Sequence, residues 1–354
     1  MTSIFHVITT ICRGGAENQL LILAKEQINQ GYDVHVVYLK DSPELLDDFR
    51  NMGVQVHSDL IGCNPLLQPL KLSQILGIKN SIVHAHLPRA ELISFLVPIS
   101  IKLFVTRHNS EPFFPKAPKS ISRFLSRIVS LRACKIIALS NAVAHFLKEE
   151  KELVNFNKLK VVHYGYIPVF SSEYRKNHIR NSVHRIGTIA RLTEQKDLPT
   201  MIKAFNLIRK EFGGLTLSIV GAGPLENYLR TLVIDLKLED DIRFLGRTDK
   251  ILDFLLSLDV FVLTSEYEGF GLVLLEAMDA GVPIVASRNS AIPEVLGTEF
   301  PGLCETGNYL EFSEKILALK DHTYRNKVLE IQSERLSLFH ANKMSDMTRS
   351  IYFG

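Results

Sequence analysis

VFVLTSEYEGFGLVLLEAMDAGVPIVAS, residues 260 to 287, reads as strand, loop, helix and strand in one pass. The β-branched run Val260 to Leu263 ends in a polar loop holding Glu268, an apolar helix opens near Phe270, and Ile284 to Ala286 is again apolar and β-branched. Near-continuous hydrophobic strands separated by helical stretches indicate a parallel sheet covered on both faces. Glu276 stands eight residues after Glu268, inside LVLLEAM, where a carboxylate is costly unless it finds partners. The N–H groups of Phe270, Gly271 and Leu272 are the orphan donors of that helix, available to a sugar or phosphate oxygen, and Gly269 and Gly271 leave room for a ligand.

The same alternation runs outward in both directions. Upstream, Ile4 to Thr9, Val34 to Tyr38, Ile82 to His84, Leu103 to Thr106, Ile136 to Leu139 and Val161 to His163 read as strands, interleaved with amphipathic segments such as Glu17 to Gln30. Between Ile167 and Arg185 the pattern fails in the polar, basic PVFSSEYRKNHIRNSVHR, which reads as a linker. The alternation then restarts at Ile186 to Ala190, Thr216 to Val220 and Ile242 to Leu245. Two α/β, doubly wound, Rossmann-like domains follow, an N-terminal one over 1–168 and a C-terminal one over 169–338. Facing each other, they would present the carboxyl ends of both sets of strands to one cleft.

Composition agrees with two packed cores. The chain has 354 residues, 46% hydrophobic and 22% charged, with a formal net charge of +3, which excludes disordered, collagen-like and small disulfide-stapled classes. Its 4 Cys are scattered without a CxxC pair or a neighbouring His at ligand spacing, so we expect a reducing compartment and no zinc site. No signal segment and no membrane-spanning apolar run are present, the nearest being Leu92 to Val105, broken by Pro98 and Lys102. The charge is uneven: residues 1–170 carry 19 Lys and Arg against 13 Asp and Glu, while the remainder is net acidic. Residues 100–148 hold nine basic side chains and one acid, Glu111.

Three more loops leave strands toward helices. ITTICRGGAENQL, from Ile8, sets Gly14 and Gly15 at a helix start, where backbone N–H groups can approach an anion; the spacing is neither GxGxxG nor a P-loop. In Ala190-Arg191-Leu192-Thr193-Glu194-Gln195-Lys196, a bidentate fork and a point charge five positions apart can converge on a pyrophosphate. Gly221-Ala222-Gly223-Pro224 is again strand, glycines and helix, with Pro at the first helical position; its geometry suits a plain turn as well as a ligand contact.

Together these stretches resemble the retaining, nucleotide-sugar-dependent glycosyltransferases of the GT-B fold, family 4 (glycosyl transferases group 1). The resemblance rests on the Glu268 and Glu276 pair within EGFGLVLLEAMDAGVPIVAS, supported by GGAE at 14 to 17, TRHN around His108, RLTEQK at 191 to 196, GAGP at 221 to 224 and IRFLGRTDK at 242 to 250. It implies that Glu276 accepts hydrogen bonds from ribose hydroxyls, that Glu268 and His108 lie against the transferred sugar, and that Arg191 and Lys196 neutralise the diphosphate leaving group. It places Gly14, Gly15, Gly221, Arg247, Thr248 and the start of the Gly269 to Leu272 helix against the donor, with Glu17, Asn18 and His108 on the acceptor side. No cofactor and no essential metal are implied, and the sequence has no DxD. The closing segment 339–354 is expected to cross back to the first domain. Two departures stand out: the family's usual Gly before the Arg and after the Lys are here Ala190 and Asp197, the latter read as a weakening acid or a helix cap.

The implied reaction is hexosyltransferase-type transfer from a nucleotide-diphosphate sugar, UDP-linked by expectation, to a hydroxyl of a glycan or lipid-linked glycan with retention. The implied setting is bacterial surface polysaccharide or lipopolysaccharide synthesis. Alternatives are a GT-B-fold nucleotide-sugar epimerase and a non-catalytic binding subunit. Lys116 to Lys135 reads as an amphipathic basic helix, with Lys119, Arg123 and Arg127 in register with Lys116 and with Ile121, Phe124, Leu125, Ile128 and Val129 as apolar partners. With the aromatics of EPFFP at 111 to 115 it suits an anionic membrane surface, at about 1 kcal/mol per cation. The expected location is cytoplasmic and peripheral on the membrane's inner face, with no nucleic-acid partner.

Overall fold

The computed structural model describes residues 2–41, 43–77, 81–171 and 183–354. Residues 172–182 of the expected linker lie outside that set. The chain divides into two compact units, residues 1–167 with 339–354, and residues 168–338.

In the first unit, seven strands form one parallel sheet: β1 (Ser3–Ile8), β2 (Asp33–Tyr38), β3 (Gln55–His57), β4 (Ser81–His86), β5 (Lys102–Arg107), β6 (Lys135–Ala138) and β7 (Leu159–Val161). Their order, β3-β2-β1-β4-β5-β6-β7, reverses direction between β1 and β4. At such a reversal the connections leave to opposite faces and open a crevice at the carboxyl ends of the strands. β1 exits there into Thr9 to Gly14 and the helix Gly15–Asn29, and β5 exits into His108. The strands bury apolar side chains on both faces, Ile4, Val7, Val36, Val83, Leu103 and Val105 being inaccessible. The segment from Phe339 returns to this unit: Tyr166 N–H donates to the Phe339 carbonyl at 2.6 Å and Ala341 N–H to that of Tyr166 at 3.1 Å. A Cβ at Gly165 would lie 2.7 Å from Ala341 Cα, so glycine lets the closing helix Ala341–Phe353 approach.

In the second unit six parallel strands, β8 (Arg185–Ile189), β9 (Thr216–Val220), β10 (Ile242–Gly246), β11 (Val260–Leu263), β12 (Ile284–Ser287) and β13 (Leu303–Cys304), repeat the plan in the order β10-β9-β8-β11-β12-β13. The reversal falls between β8 and β11, whose exits are the Arg191 to Lys196 loop and the Glu268 loop. Both units are Rossmann-like, as the alternation predicts. The reading missed β3 and β13, edge strands of three and two residues too short for a periodic signal. It also set β7 two residues late.

The basic stretch differs more. Its helix spans Lys119–Arg132, and Lys116 precedes it, because Pro118 disfavours helical backbone at Ala117. The face it buries carries Ser122, Ser126, Val129 and Ser130, whereas Ile121, Phe124 and Leu131 are 52%, 61% and 59% exposed. Of EPFFP, Phe113 is buried beneath the Arg107 guanidinium, 4.4 Å from the ring centroid. Arg107 makes ion pairs with Glu91 (2.9 Å) and Glu152 (3.0 Å), and Ser126 Oγ donates to Glu152 Oε2 at 2.8 Å. These buried charges hold the helix Lys119–Arg132 to the end of β5. Burial outweighs Arg107 at Glu91 and pushes its carboxyl up to about 7.

Arg107→Ala would leave two buried carboxylates unpaired and is expected to cost about 3 kcal/mol or more in urea unfolding at pH 8. The loss should shrink at pH 5.5, where the orphaned Glu91 carboxylate takes up a proton; an equal loss at both pH values would contradict this account.

Candidate active site

At the switch point of the second sheet, sequence-distant groups meet. Lys196 Nζ lies 2.5 Å from Glu268 Oε1, and Ser265 Oγ donates to the same oxygen at 2.7 Å. Glu268 is buried, and its Oε2 has no hydrogen-bond partner among the described residues, so one carboxylate oxygen is held by the protein while the other remains free to accept a hydroxyl. The loops are stitched together: Gln195 Nε2 donates to the Tyr267 carbonyl (2.8 Å), Glu266 N–H to the Gln195 carbonyl (2.8 Å) and Thr264 Oγ1 to the Lys196 carbonyl (2.9 Å). From beyond β12, Ser290 Oγ donates to the Glu268 carbonyl at 2.8 Å and Asn289 Nδ2 to that of Glu266 at 2.6 Å. Ser265, Gln195 and Ser290 escaped the sequence reading. Ser265, three residues before Glu268 in a loop with a buried carboxylate, was the available signal.

Arg191 is exposed and reaches Gln195 Oε1 at 3.3 Å, so its guanidinium stands at the loop's surface on the same short segment as Lys196. Asp197 corrects the reading of it as a cap: it sits at the head of the helix Leu198–Ile208 with φ +42° and ψ +47° and makes no side-chain cap bond. Aspartate is among the few residues besides glycine that tolerate this left-handed backbone. That accounts for an acid where the resembling family carries Gly.

The helix after Glu268 begins at Leu272, two residues later than expected, behind Gly271 at φ +87°. Leu274 N–H donates to the Gly271 carbonyl at 2.9 Å, while the N–H groups of Leu272 and Val273 open the helix ahead of any intrahelical acceptor. Phe270 is buried and anchors the turn. Glu276 follows on the helix Leu272–Asp279, without a side-chain hydrogen bond among the described residues, and burial pushes its carboxyl up to about 7. Gly221 has a tighter structural reason than ligand contact: a Cβ there would lie 1.9 Å from the Ala190 carbonyl oxygen, and one on Gly223 2.4 Å from that of Leu192. The GAGP loop thus packs backbone to backbone beneath the Arg191 to Lys196 loop. Arg247 and Thr248 follow β10, whose last residue Gly246 accepts from Gly221 N–H at 2.7 Å.

The remaining candidates lie in the first unit. Gly14 heads the helix Gly15–Asn29, and a Cβ on it would meet Glu17 Oε2 at 2.5 Å. Glu17 is buried and accepts from Thr10 Oγ1 at 2.9 Å, while Gly15 and Asn18 are exposed. His108 is engaged at both ring nitrogens, by Tyr164 Oη (2.6 Å) and His86 (3.1 Å). Lys119 and Arg127 are exposed, as is Lys116 ahead of their helix, and Arg123 pairs with Glu150 at 3.4 Å. Among the described residues one trio has metal-ligand geometry, His6, His84 and His86, with ligand atoms within 4.8 Å of one another. The signal for it was His84-Ala85-His86, which puts two rings on one face of a strand.

Comparison with known proteins adds the family. The family model for Glycosyltransferase Family 4 matches residues 13–168, and that for Glycosyl transferases group 1 matches residues 170–334. The N-acetyl-alpha-D-glucosaminyl L-malate synthase of Bacillus anthracis is 29% identical over 299 residues, 80% of this chain and 77% of that protein. The capsular polysaccharide biosynthesis glycosyltransferase CapH of Staphylococcus aureus is 24% identical over 83% of this chain and 84% of its own length. Among solved structures, Anabaena HepE in complex with UDP and glucose superposes with a TM-score of 0.80 over 99% of both chains at 19% identity, a likeness of fold. Matched by the two models in tandem over nearly its whole length, on two Rossmann-like units of the GT-B plan, the chain belongs to the group 1, family 4 glycosyltransferases.

Proposed function

We propose that this chain moves a sugar from a UDP-linked donor to a hydroxyl of a glycan or lipid-linked glycan, with retention at the anomeric carbon, in building a bacterial surface polysaccharide. The observation that carries the reading is the convergence of Lys196, Arg191 and the half-free Glu268 carboxylate at the carboxyl ends of β8 and β11. Support for a UDP donor comes from the fold neighbour bound to UDP and glucose; support for a polysaccharide product comes from the capsular relative.

In this mechanism the bond between the anomeric carbon and the diphosphate oxygen breaks while the acceptor oxygen forms its bond on the same face. Arg191 and Lys196 meet the charge that develops on the diphosphate, and the first turn from Leu272 adds its N–H groups. These groups serve in place of a divalent ion. Glu268 orients a sugar hydroxyl through Oε2 while Lys196 and Ser265 hold Oε1. A leaving-phosphate oxygen takes the acceptor's proton, so no protein nucleophile is needed. Glu276 accepts from the ribose hydroxyls, which favours its ionised form.

The outward face of the helix Lys119–Arg132 supports a membrane-borne acceptor. Exposed Ile121, Phe124 and Leu131 stand beside the exposed cations Lys119 and Arg127 and can enter a headgroup layer while the cations meet anionic lipid. No helix among the described residues is long and apolar enough to cross a membrane.

Three outcomes test the proposal. UDP release should depend on added acceptor and continue in EDTA, and Lys196→Ala or Glu268→Gln should each lower kcat about a hundredfold; a glycosyl adduct trapped on a side chain would refute the same-face mechanism. UDP affinity by calorimetry should fall as pH drops through 7, because the protonated Glu276 acid loses acceptor capacity, and Glu276→Gln should flatten that profile and weaken binding about tenfold at pH 8. A charge-reversed, less apolar helix (Lys119→Glu, Arg127→Glu, Phe124→Ser) should no longer co-sediment with phosphatidylglycerol vesicles yet still turn over a soluble acceptor; undiminished co-sedimentation would remove the helix from the docking surface.

A further inference from the structure

The core of the first unit holds a polar network that the proposed chemistry leaves unused. His6 on β1 and His84 on β4 are register partners, His86 lies two residues on, and Thr106 sits beside His86 on β5, so all face the same side of the sheet. The helices Gly15–Asn29 and Ala341–Phe353 bring Gln27 and Tyr352 to that face. His6, His84, His86, Gln27 and Tyr352 are each no more than 2% exposed, so the protein itself must satisfy their polar atoms.

The bonds run in one direction. Gln27 Oε1 lies 2.7 Å from His6 Nε2, and an amide oxygen only accepts, so that nitrogen carries the proton. His6 Nδ1 is then the acceptor, and at 3.0 Å it takes the proton of His86 Nε2. By the same rule His86 Nδ1 accepts from His108 Nε2 at 3.1 Å, and His108 Nδ1 accepts from the Tyr164 hydroxyl at 2.6 Å. The other half of the amide sets a second branch. Gln27 Nε2 donates to Tyr352 Oη (3.5 Å), and the Tyr352 and Thr106 hydroxyls engage His84 at Nδ1 (2.6 Å) and Nε2 (2.6 Å); a hydroxyl gives or takes a proton, so this branch admits either tautomer of His84. Along the first branch every ring N–H meets an acceptor only when His6, His86 and His108 are protonated at Nε2 and His6 and His86 are neutral. An extra proton on His6 or His86 would set two ring N–H donors against each other, and burial opposes charge on all four rings, pushing His6 down to about 4, His108 to about 3, and His84 and His86 well below the ordinary value.

We infer that Gln27, His6, His86 and Tyr164 are positioning residues that hold His108 as a neutral, Nε2-protonated ring with both nitrogens engaged, so that it serves transfer as a fixed surface and neither gives nor takes a proton. The bearing on transfer rests on the proposed glycosyl transfer and on the place beside the sugar that the family resemblance implies for His108; the tautomers stand on geometry alone. A zinc site at His6, His84 and His86 is the competing use of these rings, since a metal would claim the nitrogens that carry or accept the relay's protons.

The test is 15N NMR of the full chain labelled at histidine, with kinetics of variants. The rings of His6, His86 and His108 should each show one protonated Nε2 and one acceptor Nδ1 from pH 6 to 8. Nδ1-protonated or imidazolium signals from any of them, or a rise in Tm with zinc chloride that His84→Ala abolishes, would overturn the relay. His86→Leu should lower kcat about tenfold with donor KM little changed and leave His108 a mixture of tautomers, while His86→Gln, which keeps one donor and one acceptor, should restore most of kcat. Equal losses in both would overturn the positioning role. If His86→Leu does not fold, Tyr164→Phe keeps the ring and should shift the His108 Nδ1 signal to that of a free acceptor; an unmoved signal counts against the relay. An unchanged kcat in His108→Ala would overturn the bearing on transfer and the proposed role of His108, leaving the tautomers to the spectra.

Discussion

Strands covered on both faces leave no water to satisfy a polar side chain, and the chain's arrangement of polar groups follows from that constraint. Where the sheets close over their faces, each charge or ring nitrogen needs a protein partner. Arg107 has Glu91 and Glu152, and His6 has Gln27 and His86. Where strands end at a reversal of sheet order, the same backbone opens to ligand, and there the Glu268 carboxylate keeps one oxygen unclaimed among the described residues.

The second unit uses this contrast to build its site from loops that leave neighbouring strands. Loops from β8, β11 and β12 are drawn together by bonds from Gln195, Thr264 and Ser290, each to a backbone carbonyl, which leaves the charged ends of Arg191 and Lys196 near the mouth. The backbone conditions are stricter than the side-chain ones. Gly221 must be glycine because Ala190 lies against it, and Asp197 holds a left-handed turn. Departures from a family's motif can therefore be read by the dihedral angle that a position needs.

Much of the site was legible because its residues lie in short contiguous strings. Glu268, Gly271 and Glu276 fall within one loop and helix, and Arg191 and Lys196 within one loop, so strand periodicity with helix-start chemistry was enough to single them out. Gln195 and Ser290 were not legible, since a serine or glutamine in a loop carries no signal until its partner is known; Ser265 had only its spacing from Glu268. The basic helix shows the opposite failure. Lys119, Arg123 and Arg127 do lie on one helix without Lys116, but of the expected apolar partners only Val129 is buried, because Ser122, Ser126 and Ser130 find hydrogen bonds inside that no helical wheel anticipates.

The sequence by itself determined two parallel α/β units, a break between them and the strings that carry charge to strand ends, because each is written in local periodicity and turn chemistry. Tertiary structure alone decided which distant groups meet. Lys196 reaches Glu268 across 72 positions and His84 reaches Tyr352 across 268, contacts made by strand order and by the return of the closing helix. Tautomers, a shared carboxylate oxygen and the outward face of a helix follow from those meetings, since hydrogen-bond direction and burial are properties of pairs of groups brought together by the fold.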